Sequence, residues 1–102
     1  MHTATITVFG ADWCHDTRRT LRHLDDLAIE SKYVNVEQDA AAMAWVEKQN
    51  DGKQKFPTVD VGGLVLSVPS DGELDAALRR QGFLSRKSEI DALGGQADLG
   101  AP

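Results

Sequence analysis

The sequence predicts an α/β domain in which a four-stranded mixed sheet is flanked by three helices. Two observations carry this prediction. Short runs of β-branched residues alternate with helical patterns in the first part of the chain, which is the arrangement that a parallel crossover requires. Further on, Gly62-Gly63 lies between two β-branched runs, and such a pair is typical of an antiparallel hairpin. Parallel and antiparallel pairing in one chain make the sheet mixed.

Length and charge fit a single domain and exclude several classes of function. The 102 residues suffice for one hydrophobic core and are too few for two ordinary domains. With a formal net charge of −5, the chain lacks the basic face that nucleic acid requires, so neither nucleic acid nor a membrane is an expected partner. No apolar run approaches the roughly 18 residues of a membrane span, and no signal-like leader opens the chain. We therefore expect a soluble cytoplasmic protein.

The first strand and helix are predicted from a change of period. Residues from Thr3 to Phe9 alternate in a period-two pattern rich in β-branched side chains. Gly10 breaks this pattern, and a helix is then predicted from Cys14 to about Ala28, with Thr20 mostly on its solvated face. The apolar positions at helical spacing are Leu21, Leu24, Leu27 and Ala28.

A second strand and helix follow in the same order. The strand is predicted within Ser31 to Val36, and the helix runs from Ala40 to Gln49. Asp39 is the expected N-cap of this helix, because a carboxylate at that position accepts hydrogen bonds from free amides of the first turn. The expected buried side comprises Ala42, Met43, Trp45 and Val46.

The third and fourth strands flank Gly62-Gly63, and a third helix follows them. Ser70 and Glu73 have the spacing of a capping box, and Gly82 fits the end of this last helix. Phe83-Leu84 is expected to fold back on the core. We therefore predict one domain over residues 1–84 and a frayed or disordered tail over residues 85–102.

Cys14 is the only cysteine in the chain and is predicted at the start of the first helix. Free amides and the helix dipole favour negative charge there, and therefore the nucleophilic thiolate. A buried cysteine acting as an apolar filler is the alternative. Asp12 and Asp16 oppose the thiolate, whereas His15 and the Arg18-Arg19 pair, otherwise read as solvated, favour it. With one cysteine, any redox partner sulfur must come from another molecule.

The order of elements resembles the thioredoxin fold, and within it the glutaredoxin-like proteins that include the mycoredoxins. The resemblance extends over nearly everything from Thr3 to Leu84. Three segments carry it: Trp13-Cys14-x-Asp16-Thr17-Arg18-Arg19, Phe56-Pro57-Thr58-Val59 and the Pro69-Ser70 entry to the last helix. The family motif is usually Cys-x-x-Cys or Cys-x-x-Ser, and here Thr17 occupies the second position.

The resemblance implies a monothiol thiol–disulfide oxidoreductase with Cys14 as its nucleophile. Thr17 could donate a hydrogen bond to the thiolate, although it cannot resolve a mixed disulfide. The resemblance also implies a cis Phe56-Pro57 bond, with the backbone of Phe56 pairing with a bound thiol. The expected substrates are mixed disulfides between proteins and a low-molecular-weight thiol, with glutathione or mycothiol as co-substrate and no tightly bound cofactor.

Further binding residues follow from the same resemblance. Ala11 stands where a lysine is common, whereas Lys53 or Lys55 could supply the basic residue ahead of the proline. Ser70 and Asp71 match the helix N-terminus that takes a carboxylate of the thiol. Trp13 and His15, the neighbours of the nucleophile, complete the expected substrate-binding set. No metal site is expected, because no second Cys or His lies at ligand spacing from His15.

Two alternatives remain open from the sequence. The first is a non-catalytic thiol-binding or adaptor domain, in which the missing second cysteine reflects lost turnover. The second is an iron–sulfur carrier of the monothiol glutaredoxin type, which would need a second subunit to complete four ligands. His15-Asp16-Thr17 departs from the Cys-Gly-Phe-Ser motif of those carriers, so this alternative ranks lower.

Overall fold

The computed structural model describes residues 5–84. Residues 1–4 and the predicted tail, residues 85–102, lie outside the described part. The elements are strand β1 (Ile6–Gly10), helix α1 (His15–Asp26), strand β2 (Lys32–Asn35), a 3-10 turn (Val36–Gln38), helix α2 (Ala40–Gln49), strand β3 (Thr58–Val61), strand β4 (Leu64–Ser67) and helix α3 (Asp71–Arg80).

The four strands form one mixed sheet in the order β2-β1-β3-β4. Strand β1 pairs in parallel with β2, where Val8 lies opposite Tyr33, and antiparallel with β3, where Val8 lies opposite Val59. Strands β3 and β4 form the antiparallel hairpin, with Val59 opposite Leu66. The predicted α/β class, the mixed sheet and the three helices are confirmed.

Helices pack on both faces of this sheet. The larger cluster of buried residues joins the sheet to α1 and α3 and comprises Ile6, Val8, Leu24, Val59, Val61, Leu74, Ala77 and Leu78. The smaller cluster, Val36, Ala42 and Val46, joins the sheet to α2. Phe9 and Trp45 pack against the smaller cluster with ring centroids 4.5 Å apart. Phe83 and Leu84 pack against the larger one, as predicted.

Helix α1 departs from its prediction in two places. It ends at Asp26, and Ala28 is exposed with a left-handed φ of 58°, while its amide donates to the Asp25 carbonyl oxygen at 2.9 Å. The prediction that Thr20 faces solvent is wrong, because its side chain is fully buried. Thr17, Thr20 and Leu24 follow one another at intervals of three and four residues, so they lie on one face of the helix.

The helix caps agree with those predicted from the sequence. The Asp39 side chain accepts from the Ala42 amide at 3.0 Å, which confirms it as the N-cap of α2. Ser70 and Glu73 form the predicted capping box of α3. Gly82, just after the end of α3, has a φ of 85° that favours glycine.

Asn50 ties the end of α2 to the hairpin. Its side-chain amide donates to the Val46 carbonyl oxygen at 2.7 Å and to the Thr58 hydroxyl at 3.1 Å. Its carbonyl oxygen accepts from the Ser67 hydroxyl, and the Thr58 hydroxyl donates to the Lys55 carbonyl oxygen at 2.8 Å. Because Asn50 is only 8% exposed, these bonds exchange little with water and hold the entry to β3 in place.

The end of β1 lies unusually close to α1. A Cβ atom built on Gly10 would overlap the Thr17 side chain, coming within 2.6 Å of its Cγ2 atom. Such a distance is far below ordinary van der Waals contact, so the absence of a side chain at Gly10 allows the helix to start where it does.

We expect Gly10→Ala to destabilise the fold by about 1–3 kcal/mol, because the added methyl group must push α1 away from β1. Gly72→Ala in α3 is the matched control, since nothing lies within 4 Å of a Cβ built there. That substitution should be neutral or stabilising by up to about 1 kcal/mol. Urea unfolding of both variants measures the difference, and equal stabilities would contradict the close contact.

Candidate active site

Cys14 is the N-cap residue of α1. Its amide donates to the Ala11 carbonyl oxygen at 3.1 Å, and its own carbonyl oxygen accepts from the Arg18 amide at 3.1 Å. Cys14 as a residue is partly exposed rather than fully buried. The only cysteine of the chain therefore lies at the start of the helix, as the sequence predicts.

The entry to β3 forms a wall beside the sulfur. The Cys14 thiol lies 3.8 Å from the Phe56 carbonyl oxygen, to which it donates. The Phe56-Pro57 peptide bond is cis, as the family resemblance implies. Pro57 is buried, and its carbonyl oxygen accepts from the Val68 amide at 2.8 Å. The residue that follows β4 therefore helps to hold this segment in place.

Thr17 lies in the first turn of α1, just after Cys14, and is buried at 1% exposure. Its hydroxyl accepts from the Ala11 amide at 3.4 Å. The expected hydrogen bond from this hydroxyl to the Cys14 sulfur is not among the contacts of residues 5–84. In the structure, Thr17 therefore supports the turn that carries Cys14.

Trp13 stands beside Cys14 as an exposed but anchored side chain. The residue is 62% exposed, yet its indole Nε1 donates to Glu37 Oε2 at 2.8 Å. The edge of its ring meets Phe56, with centroids 6.3 Å apart and an interplanar angle of 72°. Sequence reasoning missed Glu37, since nothing in the spacing links the two residues.

Tyr33 engages the acid that precedes the nucleophile. Its hydroxyl donates to Asp12 Oδ1 at 2.6 Å. Burial, together with the hydrogen bond to Asp12 and the negative charge of that residue, raises the pKa of Tyr33 above its ordinary range. From the sequence, the Asp12 carboxylate is expected to disfavour a thiolate at Cys14. In the structure, this carboxylate accepts a hydrogen bond from Tyr33.

Arg19 connects α1 to the start of α3. Its guanidinium donates to Asp71 Oδ1 at 2.6 Å and to the Pro69 carbonyl oxygen at 3.1 Å, and lies 3.5 Å from Asp16. One turn on, His23 Nε2 lies 2.7 Å from Asp75 Oδ1. The expectation of a solvated arginine pair is therefore wrong for Arg19, because two carboxylates converge on it. Arg18 is exposed, as expected.

The start of α3 retains two free amides near this ion pair. The capping box engages the amides of Ser70 and Glu73, so those of Asp71 and Gly72 remain in the first turn, which has no intrahelical acceptors for them. His15, Lys53 and Lys55 are exposed and form no ion pair within residues 5–84.

The described residues hold no group of three or more His, Cys, Asp or Glu side chains that could bind a metal ion. Within the same range, no helix has the length and apolar character needed to cross a membrane.

The glutaredoxin family model matches residues 6–66. Mycoredoxin 1 of Corynebacterium glutamicum is 38% identical over 56 residues, which cover 55% of this chain and 68% of the relative.

Solved structures agree in fold. A glutaredoxin from Archaeoglobus fulgidus superposes with a TM-score of 0.62 at 18% identity, covering 76% of this chain and 88% of its own. A buckwheat glutaredoxin–glutathione complex gives 0.61 at 22%, covering 80% and 83%. The family supports thiol–disulfide oxidoreductase chemistry. Because the family model matches residues 6–66, more than half of the chain, the chain belongs to the glutaredoxin family, and it has the thioredoxin fold.

Proposed function

We propose that this protein is a monothiol thiol–disulfide oxidoreductase that reduces mixed disulfides between proteins and a low-molecular-weight thiol. The observation that carries the proposal is the placement of its sole cysteine. Cys14 caps α1, is partly exposed and faces the Phe56 carbonyl oxygen. A cysteine so placed can meet an incoming disulfide, and its thiolate is the attacking species in thiol–disulfide exchange.

The proposed reaction has two balanced steps. The Cys14 thiolate attacks the small-thiol sulfur of the mixed disulfide, so that a new disulfide joins Cys14 to the small thiol and the protein sulfur leaves as a thiolate. A second small-thiol thiolate then attacks this adduct, releases Cys14 as thiolate and forms the disulfide of two small thiols. The small thiol supplies both electrons, and no second cysteine of the enzyme is required.

The walls around the sulfur are proposed to hold the small thiol, of the glutathione or mycothiol type. The Phe56 backbone offers pairing groups next to the sulfur, and Pro57 keeps that edge in place. Beyond them, the free amides of Asp71 and Gly72 at the start of α3 can donate hydrogen bonds to a carboxylate or another acceptor group of the ligand. Arg19 offsets the negative charge of the Asp71 carboxylate there.

Exposed side chains complete the proposed binding surface for the mixed disulfide as a whole, which includes both the small thiol and the protein. Lys53 and Lys55, on the approach to Phe56, form no ion pair within the described residues and are available to a carboxylate of the ligand. Trp13 and His15 flank Cys14, and Ser70 holds the start of α3 through its capping box. We place this reaction in the cytoplasm, where low-molecular-weight thiols are kept reduced.

The Cys14→Ser variant tests the nucleophile. We expect it to fold normally and to reduce a peptide–small-thiol mixed disulfide no faster than the uncatalysed reaction, because a serine hydroxyl cannot form the disulfide intermediate. Release of the small thiol from the peptide, followed by mass spectrometry, measures the rate. Undiminished turnover in this variant would place the chemistry elsewhere, and absence of turnover in the wild type would favour a non-catalytic thiol-binding domain.

The Thr17→Cys variant tests the single-cysteine mechanism. Thr17 is three residues beyond the N-cap, so its Cα should lie within the roughly 7 Å that a disulfide tolerates. After treatment with the oxidised small thiol, the variant should lose two hydrogens from its mass and release the adduct without further thiol, whereas the wild type keeps the adduct.

Thr20→Cys is the matched control for this experiment. Thr20 is also buried on the same face of α1, but a rise of about 1.5 Å per residue places it about 9 Å along the helix from Cys14. Its sulfur should therefore be unable to resolve the adduct. If both variants behave alike, the assignment of Cys14 to the N-cap is wrong.

A further inference from the structure

We propose that Trp13 and Glu37 together recognise a cationic side chain, arginine or lysine, that flanks the disulfide in the protein substrate. This inference rests on the proposed function, because it concerns the protein that delivers its disulfide to Cys14. The binding step itself changes no covalent bond.

Trp13 is an unusual surface residue, because it is both exposed and fixed. It is the largest exposed apolar side chain within residues 5–84, at 62% exposure. Its indole N–H donates to Glu37 at 2.8 Å, and its edge rests against Phe56. A ring already held in one orientation loses little conformational freedom on binding, which is the property of aromatic anchors in protein interfaces.

The anchoring contact also selects the charge of the partner. A cation is attracted to the face of an indole ring, and more strongly to tryptophan than to other aromatic residues. The Glu37 carboxylate accepts the indole N–H through one oxygen, and a carboxylate has a second oxygen for a guanidinium or ammonium group. Ring face and carboxylate therefore favour a cation jointly, whereas an acidic partner would be repelled.

The other charged residues near Trp13 and Glu37 are compatible with a preference for a cationic partner. Asp12, which precedes Trp13, is exposed and adds negative charge. The Arg18 guanidinium donates to the Asp12 carbonyl oxygen at 3.1 Å. The exposed basic residues His15, Lys53 and Lys55 form no ion pair with Glu37 within residues 5–84. The net charge of −5 further favours encounter with a basic partner.

The topology separates this surface from the proposed position of the small thiol. Glu37 follows β2 at one edge of the sheet, and Ser70 follows β4 at the other, with β1 and Cys14 between them. A small thiol held at the start of α3 leaves the Trp13 and Glu37 surface open. The occupant of that surface is therefore the polypeptide on the other side of the disulfide.

Three peptides that differ at a single residue test the inference. Each carries a cysteine that is disulfide-linked to glutathione. The residue next to the cysteine is arginine, citrulline or glutamate, so that shape is kept while charge changes between the first two. At low salt, we expect kcat/KM for the arginine peptide to exceed that for the citrulline peptide by about fivefold. The glutamate peptide should be slower than both, and added salt should narrow the differences.

Substitutions show which residues are responsible for the preference for the arginine peptide. Glu37→Gln and Trp13→Leu should each reduce the ratio of arginine to citrulline peptide towards one. Glu30→Gln is the control, because it removes another exposed negative charge ahead of β2, at the end of that strand opposite Glu37. Glu30→Gln should keep the full preference, and an equal loss in this variant would mean that only net charge matters and would overturn the inference.

A binding measurement separates this inference from the proposed function. Calorimetry with Cys14→Ser and S-methylated versions of the three peptides requires no exchange chemistry. If the wild type reduces all peptides at equal rates, the inference fails and the proposed function stands. If no peptide is reduced, whether linked to glutathione or, in a parallel set, to mycothiol, the proposed function fails. Tighter binding of the arginine peptide by about fivefold then still supports the inference, while equal affinities overturn it.

Discussion

The close approach of Gly10 to Thr17 determines where the reactive sulfur lies. Because Gly10 has no side chain, the first turn of α1 packs directly against the end of β1. The Thr17 hydroxyl then accepts from the buried Ala11 amide, and the chain has only Asp12 and Trp13 with which to reach the N-cap. Cys14 is consequently presented at the carboxyl end of a central strand, and its thiol faces the entry to β3.

Two further contacts assemble the other walls of the site around this sulfur. Asn50 is buried and bonded to α2, β3 and β4, and loss of such a buried amide leaves its partners unsatisfied at a cost of about 1–3 kcal/mol. The ion pair of Arg19 with Asp71 is partly exposed, and pairs of this kind contribute at most about 1 kcal/mol. Asn50 therefore secures the position of Phe56 and Pro57, while Arg19 mainly orients the start of α3 and balances its charge.

The two sides of the sulfur differ in chemistry. Towards α3, free backbone amides and an arginine-paired carboxylate form a polar surface suited to a small hydrophilic ligand. Towards β2, an anchored tryptophan and a carboxylate form a surface suited to a basic polypeptide. A mixed disulfide has the same two parts, a small thiol and a protein. One cysteine placed between two such surfaces can receive both parts without a second cysteine of its own.

The sequence alone determined those features that depend on near neighbours. The succession of strands and helices along the chain, the hairpin at Gly62-Gly63, the caps at Asp39 and Ser70, and the place of Cys14 at a helix start all follow from local patterns. The interacting groups of those patterns lie a few residues apart. The C-terminal limit of α1 was less well determined, because no glycine marks it and Ala28 adopts the left-handed conformation instead.

Only the tertiary structure decided which side chains surround the sulfur. Trp13 meets Glu37 across 24 residues, and Arg19 meets Asp71 across 52. Helical and strand periods cannot predict such pairs, because they arise from the order of strands in the sheet and the packing of helices on it. The same reason explains why the prediction for Thr20 is wrong. Its hydroxyl group led us to expect exposure to solvent, whereas the face of α1 that carries it is the one that the sheet covers.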